Sequence, residues 1–149
     1  MTTGHNNSGV VGGVDTGRFT TRLFGVDATL RWKPLQRSIY HSFVARSEFV
    51  WSRREQANGP QAAFGFYVSG DYQLGRRWFT GVRFDRSAHA DNASLIDTGQ
   101  ALVLTYMPSE FSIIRGMYRR TRYALQTQTA NEFLMQFQFA IGAHGAHPF

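Results

Sequence analysis

The sequence predicts an all-β fold, an antiparallel up-and-down meander of about seven strands, on the strength of two observations. Apolar and polar residues alternate with a period of two in seven successive blocks, which are separated by turn-forming residues. Charged residues inside the blocks fall almost wholly at the positions that alternate with the large apolar side chains. Because successive side chains of a strand point to opposite faces, the predicted sheet has one apolar face and one charged face.

The first three strands are predicted at about 19–32, 41–53 and 62–74. Rings and aliphatic side chains occupy every second position in each of them. Pro34 interrupts pairing after the first strand, and the Asn-Gly-Pro sequence that ends at Pro60 predicts a turn after the second.

The other four strands are predicted around 78–85, 98–107, 114–121 and 133–141. The fifth strand is ambiguous, because Val103 interrupts the alternation of its apolar neighbours. Compact connections ("KPLQRSIY", "LGRRW", "MPSEF") alternate along the chain with polar and generally longer ones ("REQANGPQ", "SAHADNASLID", "ALQTQTA"). We therefore expect the compact turns at one end of the sheet and the polar loops at the other.

The orientation of the two faces decides whether the barrel is soluble or membrane-spanning. Three features favour a transmembrane β-barrel. The apolar set is too bulky for a small barrel interior, aromatic residues cluster near strand ends, and mid-strand charges of both signs recur on neighbouring strands. The predicted lipid-facing residues are Phe24, Phe49, Phe64, Phe66, Phe84, Phe133, Phe137 and Phe139. The predicted lumen-lining residues are Asp27, Arg31, Arg46, Glu48, Asp71, Arg83, Asp85, Arg115 and Arg119.

The strand count predicts that the barrel is incomplete. In lipid an unpaired strand edge is costly, so only a closed sheet can span the bilayer, and bacterial single-chain barrels have even strand numbers. No export signal precedes the first predicted strand. We therefore expect the C-terminal part of a larger barrel, with a loop or frayed strand end at 1–16, membrane strands at 17–143 and a periplasmic tail at 144–149.

Composition excludes several other classes. No stretch of the 149 residues approaches the roughly 18 to 20 apolar residues of a membrane-spanning helix. The absence of cysteine excludes a disulfide scaffold and a thiolate metal site. Sixteen basic residues against ten acidic ones give a net charge of +6, which favours an anionic partner.

The end of the chain resembles a known signal. "NEFLMQFQFAIGAHGAHPF" resembles the C-terminal strand of bacterial outer-membrane β-barrels, which carries alternating aromatic residues and finishes on Phe. In those proteins the final strand is recognised by the barrel-assembly machinery. The resemblance implies an assembly signal at Phe137, Phe139, Ile141 and Phe149, although the alternation stops at Ile141 and "GAHGAHPF" continues beyond it.

Other segments carry a narrower resemblance. "GVDATLRWKPLQRSIYHSF", "RRWFTGVRFDRS" and "PSEFSIIRGMYRRTRY" are similar to a porin-like family of outer-membrane proteins. Its members bear labels such as phosphate-selective-porin-like and zinc-regulated TonB-dependent outer-membrane receptor. The resemblance covers about residues 17–149 and implies the bacterial outer membrane as the location, with membrane lipid, lipopolysaccharide and the assembly machinery as partners.

Four arginines are the leading candidates for a solute-binding role. Arg46, Arg83, Arg115 and Arg119 are predicted to project into one interior, where a guanidinium group can bind a carboxylate or phosphate through two hydrogen bonds. The alternative is that they brace the barrel by pairing with the predicted lumen acids Asp27, Glu48, Asp71 and Asp85. The sequence therefore predicts porin-like or receptor-coupled passage of small solutes, anions among them. A non-transporting structural or adhesion barrel is the alternative, and a soluble lipocalin-like carrier is a third hypothesis.

The remaining motifs predict no enzyme, cofactor or metal site. His144 and His147 lack further ligands nearby, and His89 with Ser94 is the single pair of catalytic type. The basic and aromatic run at 118–123 predicts an interfacial anchor whose Arg120 and Arg122 lie near lipopolysaccharide phosphates, in preference to a nucleic-acid site.

Overall fold

The computed structural model describes residues 1–6, 19–37 and 39–140, together with the backbone at 10–11 and 14–15. This part of the chain forms ten β-strands. The three short strands are β1 (Thr2–His5), β2 (Val10–Val11) and β3 (Val14–Asp15). The seven long strands are β4 (Thr20–Trp32), β5 (Phe43–Arg54), β6 (Gln61–Gln73), β7 (Trp78–Ala88), β8 (Ile96–Ser109), β9 (Ser112–Arg122) and β10 (Thr129–Phe139).

Eight of the strands form one antiparallel sheet in the order β1-β4-β5-β6-β7-β8-β9-β10. From β4 to β10 each strand pairs with the next along the chain, which confirms the predicted all-β up-and-down meander. β1 adds an eighth strand by pairing with Thr20–Leu23 of β4, in a region where the sequence predicted a loop or frayed strand end. β2 and β3 pair with each other in a separate two-stranded sheet.

The eight-stranded sheet is open. Within the described residues its two edges are β1 and β10, and no backbone pairing joins them. The sequence predicted an incomplete segment of a larger transmembrane barrel, and the structure of this chain shows an open meander, which leaves the transmembrane barrel a prediction. Among the described residues no helix is long and apolar enough to cross a membrane.

The connections alternate between the two ends of the sheet, as the sequence predicted. Segments 55–60, 89–95 and 123–128 lie at one end, which we call the loop end. Segments 33–42, 74–77 and 110–111 lie at the other, which we call the turn end. The first turn-end segment, predicted to be compact, is the longest of the six. In the segment 55–60, Gly59 adopts φ +112° and donates its N–H to the carbonyl of Gln56, a conformation that favours glycine.

The register shows why β8 was ambiguous in sequence. Leu102, Leu104 and Tyr106 share one face with their partners on β9, while Val103 lies opposite Met117 on the other face. A bulge between Tyr106 and Ser109 then shifts the register near the turn end. An apolar residue on the charged face therefore interrupted the alternation without changing the strand.

The seven long strands carry two chemically different faces. Directly opposed residues share a face, so the register connects Phe24, Trp51 and Phe64 through three strands and places them together. We call this the ring face. On the other side of the sheet, the register places Asp27 opposite Glu48 and Glu48 opposite Tyr67. We call this side the charged face.

Burial distinguishes the two faces. Every buried residue of the described chain lies on the charged face: Gln73, Gly81, Gly99, Ala101, Thr105 and Thr121. Ala101 is the one buried hydrophobic residue among them. On the ring face, by contrast, Leu102 is 60% exposed and Phe139 is 71% exposed. Side chains are therefore crowded on the charged face and spread apart on the ring face, which indicates a sheet that curves toward its charged side. The described residues contain no conventional hydrophobic core.

Candidate functional site: the cavity on the charged face

The charged face collects all nine residues that were predicted to line a lumen. Their positions follow directly from the pairing register, because each occupies the parity opposite the rings on its own strand. The nine are Asp27, Arg31, Arg46, Glu48, Asp71, Arg83, Asp85, Arg115 and Arg119. Arg54, Asp97 and Glu132 occupy the same face and were not among the predicted residues. In the seven long strands, this face therefore holds six arginines and six carboxylates.

Three ion pairs link charges on this face. Arg46 contacts Asp71 on the next strand at 2.5 Å. Arg83 contacts Asp85 two residues further along its own strand at 2.6 Å, and its guanidinium lies 3.9 Å from the centre of the Tyr67 ring. These side chains are about two-fifths exposed, so each pair contributes only about 0.2 to 1 kcal/mol.

The third ion pair was not anticipated. Arg119 contacts Glu132 on β10 at 2.7 Å, and the two residues are directly opposed in the register. The sequence signal was present, because Glu132 has the charged-face parity of the last strand. The strand was predicted to begin at Phe133, so Glu132 fell just outside it, whereas β10 begins at Thr129.

Two predicted partners remain without an arginine. Asp27 and Glu48 are directly opposed on β4 and β5, and within the described residues neither forms a salt bridge. Of the four acids proposed as partners, Asp71 and Asp85 form salt bridges with Arg46 and Arg83, whereas Asp27 and Glu48 form none among the described residues, and Glu48 acts on Arg83 only electrostatically. The register sets two carboxylates face to face instead, an arrangement that is mildly destabilising in a sheet.

A cavity of about 690 Å³ opens on the charged face. Its lining runs from Val44 on β5 to Gln136 on β10, so strands that do not pair with each other contribute to one concave surface. The charged residues of the lining are Arg46, Asp71, Arg83 and Arg115. Three arginines and one carboxylate therefore line the cavity, although the charged face as a whole carries equal numbers of arginines and carboxylates.

Arg115 is distinctive among the cavity arginines. Its Nε–H donates to the Thr105 hydroxyl at 3.1 Å, which fixes the stem of the side chain. Among the described residues it forms no salt bridge, whereas Arg46 and Arg83 are each held by an aspartate. Arg115 is therefore the cavity guanidinium most available to a solute anion.

The ring face carries all eight phenylalanines that were predicted to face lipid. Phe49 and Phe66 stack with ring centres 5.9 Å apart, and Phe66 contacts Phe84 at the same distance. Phe24 joins this cluster through Trp51 at 5.7 Å. Phe133, Phe137 and Phe139 follow on β10, where each is more than half exposed.

The last strand contains only part of the predicted assembly signal. Phe137 and Phe139 lie on the ring face of β10, opposite Ile114 and Ser112. Ile141 and Phe149 lie outside the described residues, as do His144 and His147.

His89 and its neighbours form a structural link between two loops. Its Nε2 lies 3.1 Å from Oδ2 of Asp97, whose other carboxylate oxygen accepts the Ala124 N–H at 2.8 Å. The Ser94 hydroxyl donates to Asn92 at 2.6 Å and does not meet the imidazole. Within the described part of the chain, no three metal-ligating side chains of the His, Asp and Glu type come together.

Comparisons with known proteins identify one relative without a described function. The chain is 28% identical over 148 residues to an "Uncharacterized protein" of Aquifex aeolicus (strain VF5). The alignment covers 87% of this chain and 31% of that protein, so the chain spans about a third of the relative's length. No family model and no solved structure matches the chain.

Proposed function

We propose that the chain forms part of a porin-like outer-membrane β-barrel that passes small solutes through an interior lined by the charged face. The observation that carries the proposal is the division between the two faces. The face with mixed charge holds every buried residue of the described chain, whereas the face with the rings carries large apolar side chains that are more than half exposed. That arrangement suits water inside and hydrocarbon outside.

Exposure on the ring face supports contact with lipid. Leu30, Val82 and Phe133 are each 57% exposed or more, and they belong to three different strands. A continuous apolar surface across a whole sheet requires a partner that covers it. A soluble lipocalin-like carrier would bury these side chains in its centre, so their exposure disfavours that alternative.

Strand length fits the thickness of a membrane. The seven long strands contain 11 to 14 residues each. At about 3.3 Å per residue an 11-residue strand extends about 36 Å, and a tilt near 45° gives a height of about 25 Å. The apolar band of an outer-membrane barrel is also about 25 Å tall.

Closure is the step that the proposal adds to the described sheet. Within the described residues, β10 pairs on one side only, and the part of β4 from Phe24 to Trp32 has no partner beyond β5. In lipid these edges must be paired, because unsatisfied backbone groups are costly there. We propose that the chain is part of a longer barrel in the bacterial outer membrane, whose further strands close the sheet. The final strand then serves as the signal to the barrel-assembly machinery.

The cavity lining favours anions. It contains three arginines and one aspartate, and Arg115 faces it without a carboxylate partner among the described residues. A cavity lined by one sign of charge concentrates counter-ions of the other sign.

Single-channel recording tests the proposal. The full-length protein is reconstituted in planar bilayers, and the reversal potential is measured in a salt gradient. We expect open channels, and we expect Arg115→Glu to shift the selectivity toward cations. Arg76→Glu is the matched control, because it makes the same charge change in the turn-end segment 74–77, outside the cavity lining. A folded protein that opens no channel would refute transport, and an unchanged reversal potential in Arg115→Glu would remove Arg115 from the solute path.

A non-transporting structural or adhesion barrel is the second candidate. Two of the three ion pairs favour it, because Arg46–Asp71 connects β5 with β6 and Arg119–Glu132 connects β9 with β10 on the charged face. Under that hypothesis the charged face braces the barrel and conducts nothing. The same recordings separate the two functions.

A further inference from the structure

The charges on the ring face are unlike those on the charged face. In the seven long strands the ring face carries five arginines and no carboxylate. All five lie near the loop end: Arg22, Arg53, Arg86, Arg120 and Arg122. The other residues of this face are apolar or uncharged. The arginines therefore form a basic row at the loop end of a mainly apolar surface.

Three of these arginines surround a groove. Arg22, Arg53 and Arg86 line a depression of about 530 Å³ together with Phe24, Trp51 and Phe64. The register explains the arrangement, because the opposed row Phe24–Trp51–Phe64 lies next to the opposed pair Arg22–Arg53. Arg86 reaches the same groove from β7, where it is opposed to Phe66. The groove therefore has cations at its loop-end rim and aromatic rings along its floor.

The arginine pair needs a counter-charge. Arg22 and Arg53 are directly opposed on one face, and like charges in that position destabilise a sheet. Within the described residues neither these two nor Arg86 forms a salt bridge. Glu55 acts electrostatically on both Arg22 and Arg53, but one carboxylate cannot balance two guanidinium groups. One of its oxygens accepts both the Thr20 N–H at 3.0 Å and the Thr20 hydroxyl at 2.8 Å, and so Glu55 also holds the start of β4.

We propose that this groove binds an anionic phospholipid, with its phosphate between Arg22, Arg53 and Arg86 and an acyl chain along Phe24, Trp51 and Phe64. The inference rests on the proposed function, because it requires the ring face to meet lipid. Guanidinium groups bind phosphate through paired hydrogen bonds. A free phosphate ion would leave the aromatic rings of the groove uncovered, whereas the acyl chain of a lipid would cover them. The order of charge and rings along the strands matches the order of headgroup and tail in a bilayer leaflet.

Trp51 provides a reporter inside the groove, since its ring contacts Phe24 and Phe64. The full-length protein is used, and every tryptophan other than Trp51 is replaced by phenylalanine, Trp32 and Trp78 of this chain among them. The protein is folded into phosphatidylcholine vesicles in which a fixed fraction of the lipid carries bromine on its acyl chains. The brominated lipid is either anionic phosphatidylglycerol or zwitterionic phosphatidylcholine. Quenching of Trp51 then measures how often each lipid occupies the groove.

We expect brominated phosphatidylglycerol to quench Trp51 in preference to brominated phosphatidylcholine, by about fivefold in apparent affinity for one engaged arginine. The triple variant Arg22→Gln, Arg53→Gln and Arg86→Gln should lose the preference. The matched control replaces three turn-end arginines, Arg37, Arg76 and Arg77, by glutamine, and it should keep the preference at the same net charge.

Each other result has a defined meaning. Equal quenching by the two lipids, or a preference that survives the triple variant, would overturn the lipid-phosphate site while leaving the ring face in lipid. A preference lost equally in the control would also overturn it, because net charge alone would then explain the selection. No quenching by either brominated lipid would refute the proposed function itself, since Trp51 would not contact hydrocarbon. Inorganic phosphate is also added at constant ionic strength, so that screening of the arginines does not change. Loss of the preference under these conditions would show that a phosphate ion binds as well as a lipid does, and it would overturn the proposal.

Discussion

Replacing Leu102 by arginine tests directly which face of the sheet meets hydrocarbon. Leu102 is 60% exposed on the ring face and lies between Val82 on β7 and Tyr118 on β9. It stands near the middle of β8, about 20 Å along the strand from either end at about 3.4 Å per residue. If the strand crosses a bilayer as proposed, this position lies close to the midplane, where an arginine costs about 2 to 4 kcal/mol. We therefore expect Leu102→Arg to lower the free energy of unfolding by that amount.

The control is the next residue along the same strand. Val103 lies on the opposite face and lines the cavity, where an introduced guanidinium keeps its water. We expect Val103→Arg to cost no more than about 1 kcal/mol. Both variants are folded into phospholipid vesicles and unfolded with guanidinium chloride, and tryptophan fluorescence follows the transition. Equal losses at the two positions, or a larger loss at Val103, would refute the assignment of the faces.

Two further predictions concern the charged face and the loop end. A methyl group added at Gly81 would meet the end of the Asp71 carboxylate, which would have to turn aside and loosen its ion pair with Arg46, so Gly81→Ala should lower the free energy of unfolding by about 0.2 to 1 kcal/mol, whereas Gly116→Ala, whose new methyl group would meet only a ring atom at 3.8 Å, should not lower it. Equal effects of the two alanines in the same unfolding titration would contradict this account of the close approach. At the loop end, hydrogen bonds from Thr20 hold the pKa of Glu55 below its ordinary value of 4.5, with a smaller contribution from nearby arginines. Because the folded-state pKa is lowered, the ionised Glu55 carboxylate stabilises its contact with Thr20 fully above pH 4.5. That stabilisation is lost as the pH falls through the folded-state pKa. Hydrogen exchange should therefore show the protection of the Thr20 amide falling below pH 4.5 in the wild type and staying constant in Glu55→Gln; the same fall in both proteins would exclude Glu55 as the cause.

Much of the fold could be predicted because alternation is a local property. Each strand records its own two faces in its own residues, so β4 and β6 were placed to within about two residues without knowledge of their neighbours. The separation of rings from mid-strand charges followed for the same reason. Strand boundaries were predicted less accurately. The last strand was predicted to start at Phe133, after Glu132, and so Glu132 was not included in the predicted site.

The partners of the charges could not be predicted in this way. Which acid meets which arginine depends on register, which joins residues from different strands. Arg119 meets Glu132 across β9 and β10, while Asp27 and Glu48 oppose each other and meet no arginine among the described residues. Arg83 pairs with Asp85, two positions further along its own strand, and a list of directly opposed residues would not include this pair.

The sequence by itself determined that this chain is a meander of strands with one greasy face and one charged face, because a period of two requires no more than the order of residues along each strand. Only the tertiary structure decided which face is crowded and which is open, because curvature belongs to the sheet as a whole. It also decided that Arg22 stands against Arg53 beside a floor of rings, since those residues are about thirty positions apart and come together only through the register of β4 and β5.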